Sequence, residues 1–298
     1  MGFIHILFAI IIALIWGTNF VSIKLAYDSF PPFLLLALRF TLTVFPLIFF
    51  VPKPKASWKY IVMIALFLWI GQFSFLFVGM YMGAPAGLTS LILQAQTIFT
   101  MIFSVMWLHY RPHRGEVIGL TIAALALIGI ALERFTEGSW IGIAVVFPAA
   151  ICVSVSNILF AKHKTEKPDH PLAMVVWSSL IPPIPMFIAS YLFEGPDALS
   201  TAWDTLTFVT ASSLAYTTYF STLIATSLWA FLLRHHTPSQ VVPFTLLIPI
   251  FGMGASMIFL KESYTSLSLC YAGIVLVGLG VNQLSRRRIP KQPLRKIS

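Results

Sequence analysis

Residues 60–110 read YIVMIALFLWIGQFSFLFVGMYMGAPAGLTSLILQAQTIFTMIFSVMWLHY, and between Lys59 and Arg111 there is no Asp, Glu, Lys or Arg. A bilayer hydrocarbon core is roughly 30 Å thick, so a helix needs about 20 mostly apolar residues to cross it. The stretch holds two such runs, and Gly83-Ala84-Pro85 punctuates them. In lipid only helices and closed barrels satisfy their own backbone. Barrel strands alternate apolar and polar residues with period 2, and this stretch does not.

Runs of the same kind fill the chain on either side. It is 58% hydrophobic and 10% charged, against about 25% charged for soluble domains, which excludes a soluble fold. Ten spans are expected, at roughly 3–25, 31–51, 60–82, 86–108, 115–133, 139–161, 172–193, 207–231, 238–260 and 265–284. Met1 to Ile23 lacks a basic n-region and is too long for an h-region, so it reads as the first span.

The net charge of +9 does not form a nucleic-acid face. With the N-terminus inside, 15 of the 19 basic residues fall in the inner segments 53–59, 111–114, 162–167 and 234 and in the 286–296 tail. The outer loops keep Arg134 and Lys261, while Lys24 and Arg39 belong to spans. This positive-inside pattern places both termini in the cytoplasm. The basic tail reads as an anchor on anionic lipid. Cys152 and Cys270 lie in apolar runs and read as small buried residues rather than a disulfide framework.

The halves resemble each other. Asn19 to Lys24 in span 1 aligns with Asn157 to Lys162 in span 6; Pro32 meets Pro171, Pro46 meets Pro185, and Pro85 meets Pro238. Five spans per half invert the second copy. The expected organisation is a repeat at 1–136, an inverted repeat at 137–285 and a basic tail at 286–298. The fold class is therefore all-α integral membrane, with ten transmembrane helices as two inverted five-helix repeats around a central cavity. Inverted repeats are the architecture of secondary transporters, with the site near the midplane.

Polar groups inside a membrane are costly and by default face the bundle interior or a water-filled cavity. Span 1 aligns Trp16, Asn19 and Ser22 on one face, and span 6 carries Ser154 and Asn157. Gln72, Gln94 and Gln96 add primary amides, each with donors and an acceptor, which suits a zwitterionic ligand. Trp177 and Tyr219 are candidate aromatic walls. Helix packing explains the Asn residues equally well. Arg39 lies about 12 Å into span 2 at 1.5 Å per residue. It reads as a ligand for a substrate carboxylate, a side chain snorkelling to headgroups, or a brace between helices. Pro182, Pro183 and Pro185 in span 7, and Pro243 and Pro249 in span 9, disturb their helices.

No Asp, Glu or His falls in mid-membrane, which disfavours proton coupling through an embedded carboxylate. Paired carboxylates, metal-ligand clusters and a phosphate loop are likewise missing, so no enzyme, cofactor or metal is expected.

Trp16-Gly17-Thr18-Asn19-Phe20, Arg39-Phe40, Pro85-Ala86-Gly87-Leu88 through Gln94-Ala95-Gln96, and Leu260-Lys261-Glu262 before a Gly-rich last span resemble the EamA-type family of the drug/metabolite transporter superfamily. Leu93 to Gln96 and Val176 to Pro182 are similar to bacterial exporters of O-acetylserine and cysteine. The resemblance implies a basket of ten helices in a bacterial inner membrane. It also implies a cavity lined by spans 1, 3, 4, 6, 8 and 9, and an amino-acid-like substrate exported from the cytoplasm. One departure is visible: where the family often ends its fourth span with Gly-Glu, this chain has His109. The alternatives are a broad exporter of amphiphilic or aromatic compounds, and a membrane enzyme or receptor that does not transport.

Overall fold

The computed structural model describes residues 2–135, 140–162, 171–236 and 241–287, and every regular element among them is helical. The repeat boundary at 136–137, the loop holding Lys164 and Lys167, Pro238, and the tail from residue 288 lie outside the described residues.

The first half runs α1 Phe3–Ala26, α2 Pro32–Val44, α3 Trp58–Ile64, α4 Gln72–Tyr81, α5 Ala86–Ile92, α6 Gln96–Leu108 and α7 Arg114–Phe135. The second runs α8 Trp140–Lys162, α9 Pro171–Ser178, α10 Pro183–Ala189, α11 Ala198–Asp204, α12 Phe208–Ala215, α13 Thr226–His235, α14 Leu247–Phe259 and α15 Ser266–Arg287. Six helical stretches are long and apolar enough to cross a membrane: Phe3–Ala26, Pro32–Phe49, Trp58–Tyr81, Ala86–Trp107, Trp140–Leu159 and Leu172–Glu194. Two shorter apolar helices, Phe244–Phe259 and Ser266–Asn282, join them. The chain is a multi-pass, all-helical membrane protein.

Several crossings change helical winding. A π-helix, Ala65–Gly71, joins α3 to α4, and a second, Tyr216–Ala225, joins α12 to α13. A 3₁₀ turn, Leu93–Ala95, joins α5 to α6, and another, Val242–Leu246, leads into α14. Pro182 and Pro183 act as expected: α9 stops at Ser178 and α10 restarts at Pro183.

The core follows the sequence pattern. One cluster gathers Phe20 and Ile23 of α1, Leu34 to Ala37 and Phe40 of α2, Trp69, and Phe77 of α4. A second packs α5, α7, α14 and α15 through Leu91, Ile130, Met253 and Val275. With no hydrophobic drive between helices in lipid, close packing through small residues holds such bundles together. Gly79 of α4 and Gly142 of α8 bring two backbones together: a Cβ on Gly142 would sit 2.6 Å from the Gly79 carbonyl oxygen. Gly119 and Gly278 do the same for α7 and α15.

Candidate functional site

The interior polar residues form two groups. In the first, α1 packs on the π-helix Tyr216–Ala225 and on α12 and α14. The Trp16 indole donates to the Ser221 carbonyl at 3.2 Å, and its ring lies 5.4 Å from Trp229. The Thr18 and Tyr216 hydroxyls lie 2.6 Å apart. Asn19 is buried, and its Oδ1 has no partner.

In the second group the 3₁₀ turn in span 4 meets the one in span 9. Buried Gln94 donates from Nε2 to the Thr245 carbonyl at 3.3 Å. The Gln96 carbonyl accepts from Ser154 Oγ at 2.9 Å, and Asn157 Nδ2 donates to Thr100 Oγ1 at 3.3 Å. Two non-α turns thus face each other, with the Gln94 side-chain amide at one bonded to the Thr245 backbone carbonyl at the other. Such discontinuities supply backbone groups to ligands where they line a cavity.

The remaining candidates are placed separately. Gln72 is buried on α4 with Oε1 unpartnered. The Trp177 indole donates to the Val51 carbonyl at 3.2 Å and lies 6.0 Å from the Trp58 ring, so it braces the bundle end beside residues 51–58. Tyr219 lies on the π-helix and is 39% exposed; the stacked pair there is Tyr216 with Phe220. Arg39 is only 1% exposed and does not reach the surface. Two clefts lie off this set: one of about 410 Å³ lined by Tyr27, Asp28, Tyr81, Glu194, Asp197 and Thr201, and an apolar one of about 320 Å³ lined by Met63, Phe67, Trp107, Val155, Ile158 and Leu159.

Two carboxylates, not singled out as functional from the sequence, close one end of the bundle. Helices α2 and α5 start at Pro31 and Pro85, which offer no side-chain acceptor for their first N–H groups. Glu194 supplies it for α2, accepting from Phe33 N at 2.5 Å and Leu34 N at 3.0 Å. Glu262 supplies it for α5, accepting from Ala86 N at 2.8 Å and Gly87 N at 3.3 Å. The Tyr264 hydroxyl also donates to Glu262 and lies 2.7 Å from Ser256 Oγ. Burial and that carboxylate push the Tyr264 phenol up, so it stays a donor through the physiological range. Lys24 Nζ donates to the Met80 carbonyl at 2.9 Å, Tyr27 to the Phe77 carbonyl at 2.6 Å, and Ser29 Oγ to the Thr205 carbonyl at 2.7 Å. The signal for the Glu262 contact was in the Leu260-Lys261-Glu262 motif; the Glu194 contact had none.

At the other end, His236 Nε2 lies 2.7 Å from His5 Nδ1, joining the start of α1 to the end of α13. Beside His109, the Tyr110 hydroxyl donates to buried Glu116 at 2.8 Å. His109 itself is the left-handed cap of α6, at φ +50°. Desolvation lowers the His236 pKa from the ordinary 6.5, helped by His5 and by the adjacent His235. The unfolded chain therefore takes up this proton first, and the contact contributes stability above about pH 6.5 that is lost as pH falls below it. Melting of the purified protein from pH 7.5 to 5.5 should show a falling transition temperature, and His236→Gln should flatten the slope.

The sequence model of the EamA-like transporter family matches twice, over residues 3–132 and 140–282. The chain belongs to the EamA-like transporter family. It is similar to a probable amino-acid metabolite efflux pump of Salmonella typhimurium, 34% identical over 92% of this chain and 93% of that one. A protein of the same description from Escherichia coli is 32% identical over 94% of each chain. An uncharacterized transporter of Archaeoglobus fulgidus is 26% identical over 89% of this chain and 93% of the other. One solved crystal structure shares the fold, with a TM-score of 0.63 at 17% identity over 96% of this chain and 99% of that one. The protein is thus a membrane transporter, and the candidate residues above fall within the two segments that the family model matches.

Proposed function

We propose that this transporter exports small neutral amino acids and their derivatives, of the cysteine and O-acetylserine type, across a bacterial cytoplasmic membrane. It does so as ten helices in two inverted repeats, with both termini in the cytoplasm. The observation that carries the substrate class is the similarity to two efflux pumps described as handling amino-acid metabolites, each over more than nine-tenths of the chain. The helical interruptions support the repeat. A π-helix falls in each of spans 3 and 8 and a 3₁₀ turn in each of spans 4 and 9, which are equivalent positions in the two halves; the other equivalent pair differs, with a 3₁₀ turn at Leu47–Phe49 in span 2 and a π-helix at Ser190–Glu194 in span 7. Pro32 and Pro171, matched in sequence, both begin helices.

In this reading Gln94, Gln96, Asn19, Asn157 and Gln72 orient the substrate, with Trp16, Tyr219 and Arg39 around it, while Trp177 braces the bundle end. The unpartnered oxygens of Asn19 and Gln72 accept from its ammonium group. The repeats rock about this fixed site. The unassigned apolar cleft beside Trp107 favours a second reading, a broader exporter of amphiphilic compounds.

Efflux of labelled cysteine and O-acetylserine from expressing cells tests the proposal. Losing one ligand hydrogen bond costs about 1.4 kcal/mol, or tenfold. Gln96→Ala should therefore lower efflux about tenfold at equal membrane abundance. Efflux of neither compound by the wild type, with efflux of an apolar dye, would hand the case to the broader reading.

A further inference from the structure

We infer that Arg39 is the counter-ion for the free α-carboxylate of the transported molecule. The inference rests on the exporter reading and narrows it to substrates that keep that group.

The Arg39 guanidinium is wholly inside the bundle, at 1% exposure. Its Nε donates to Thr222 Oγ1 at 2.9 Å, and Nη1 has no partner. Among the described residues no carboxylate pairs with it. It rests instead on rings: Phe73 lies 4.3 Å from the guanidinium carbon, Phe40 5.7 Å and Phe77 5.8 Å. Ring faces attract a cation, but they return a fraction of what taking an isolated guanidinium out of water costs. Snorkelling is excluded by the burial. A brace alone needs no charge, because a neutral donor would serve Thr222 as well. What remains unmet is a negative charge, and the described protein does not supply one.

The location fits a ligand. Arg39 belongs to the first half and Thr222 to the second, on the π-helix that also carries Ser221, which accepts from Trp16. Extra turns of π winding inside a helix recur at functional sites. When the repeats part along this seam, the bond to Thr222 opens and Nε joins Nη1 as a free donor. A planar carboxylate matches that fork better than any other small anion group an amino acid carries. The amino end then faces the unpartnered amide oxygens.

Counterflow in proteoliposomes tests this, comparing cysteine and O-acetylserine with their carboxamides, which keep the ammonium and side chain but lose the charge. The wild type should favour the acids by about tenfold to a hundredfold, the worth of a charged hydrogen-bonded pair. Arg39→Gln should erase that preference through KM while leaving carboxamide transport in place. Arg39→Lys should restore part of the preference, and Thr222→Val, which removes the brace together with the local bond to the Thr217 carbonyl, should keep it. Wild type that moves acid and carboxamide alike overturns the carboxylate site and leaves the exporter reading standing. Equal losses for both substrates in Arg39→Gln overturn it too, as a structural role would. Wild type that moves neither overturns the exporter reading and this inference with it.

Discussion

Gly142→Val should strongly destabilise the folded transporter. A Cβ at Gly142 would lie 2.6 Å from the Gly79 carbonyl oxygen and 2.7 Å from the Ala84 amide nitrogen. Both are backbone atoms, so no rotamer change relieves the clash, and α4 must move away from α8. Overpacking that side chains absorb costs about 1–3 kcal/mol; backbone separation also strips the dispersion contacts that associate helices in lipid. We expect a loss of about 3 kcal/mol or more, read as a fall of roughly 10 °C in melting temperature and an aggregated elution profile. Gly254→Val is the control. A Cβ there meets nothing within 4 Å, and its transition should stay within a degree or two of the wild type. Equal behaviour of the two variants would show that the α4–α8 crossing does not depend on backbone approach.

Glu262→Ala should open the end of the bundle that Glu194 and Glu262 close. The carboxylate accepts from two α5 amides and from Tyr264. Removing it leaves the α5 N-terminus, positive through its aligned peptide dipoles, without an anion. Loss of such a cap costs about 0.5–2 kcal/mol, and charged hydrogen bonds reach about 3 kcal/mol. The end-closed state should lose between about tenfold and a hundredfold in population relative to the open one. A cysteine at Ser90, which is buried below the α5 start, reports it in a background lacking Cys152 and Cys270. A membrane-impermeant maleimide should label it slowly with Glu262 present and at least tenfold faster in Glu262→Ala. Unchanged labelling would mean that Glu262 stabilises α5 without holding the repeats together. Glu194→Ala should act in the same direction at α2, since Glu194 accepts from two amides there.

Most of the spans could be read without the structure because hydropathy is local. Six expected spans appear as helices of crossing length, and Pro182 and Pro183 break span 7 as their missing N–H groups require. Trp16 and Asn19 do share an inward face of α1, and Gln94 is inward on its turn. Other residues came out differently. Trp177 looked like a wall of the cavity, yet its indole is tied to the Val51 carbonyl. Arg39 carried three readings, and only its burial removed snorkelling. At the His109 departure the structure shows a left-handed cap of α6, with the neighbouring Tyr110 hydroxyl bonded to Glu116 of the next helix.

The amino-acid sequence by itself determined the membrane class, most helix positions, the family and the polar residue types available to a ligand. Each follows from the length of an apolar run, the placement of a Pro or the order of short motifs. Only the tertiary structure decided which groups meet. Glu194 caps a helix 161 residues away and Glu262 one 176 residues away, while Arg39 faces Thr222 at a separation of 183. No local pattern encodes such pairings, because a helix start at Pro31 or Pro85 announces unmet amides without naming the carboxylate that will meet them. That choice is made when the helices pack and every buried donor and charge must find a partner or go without.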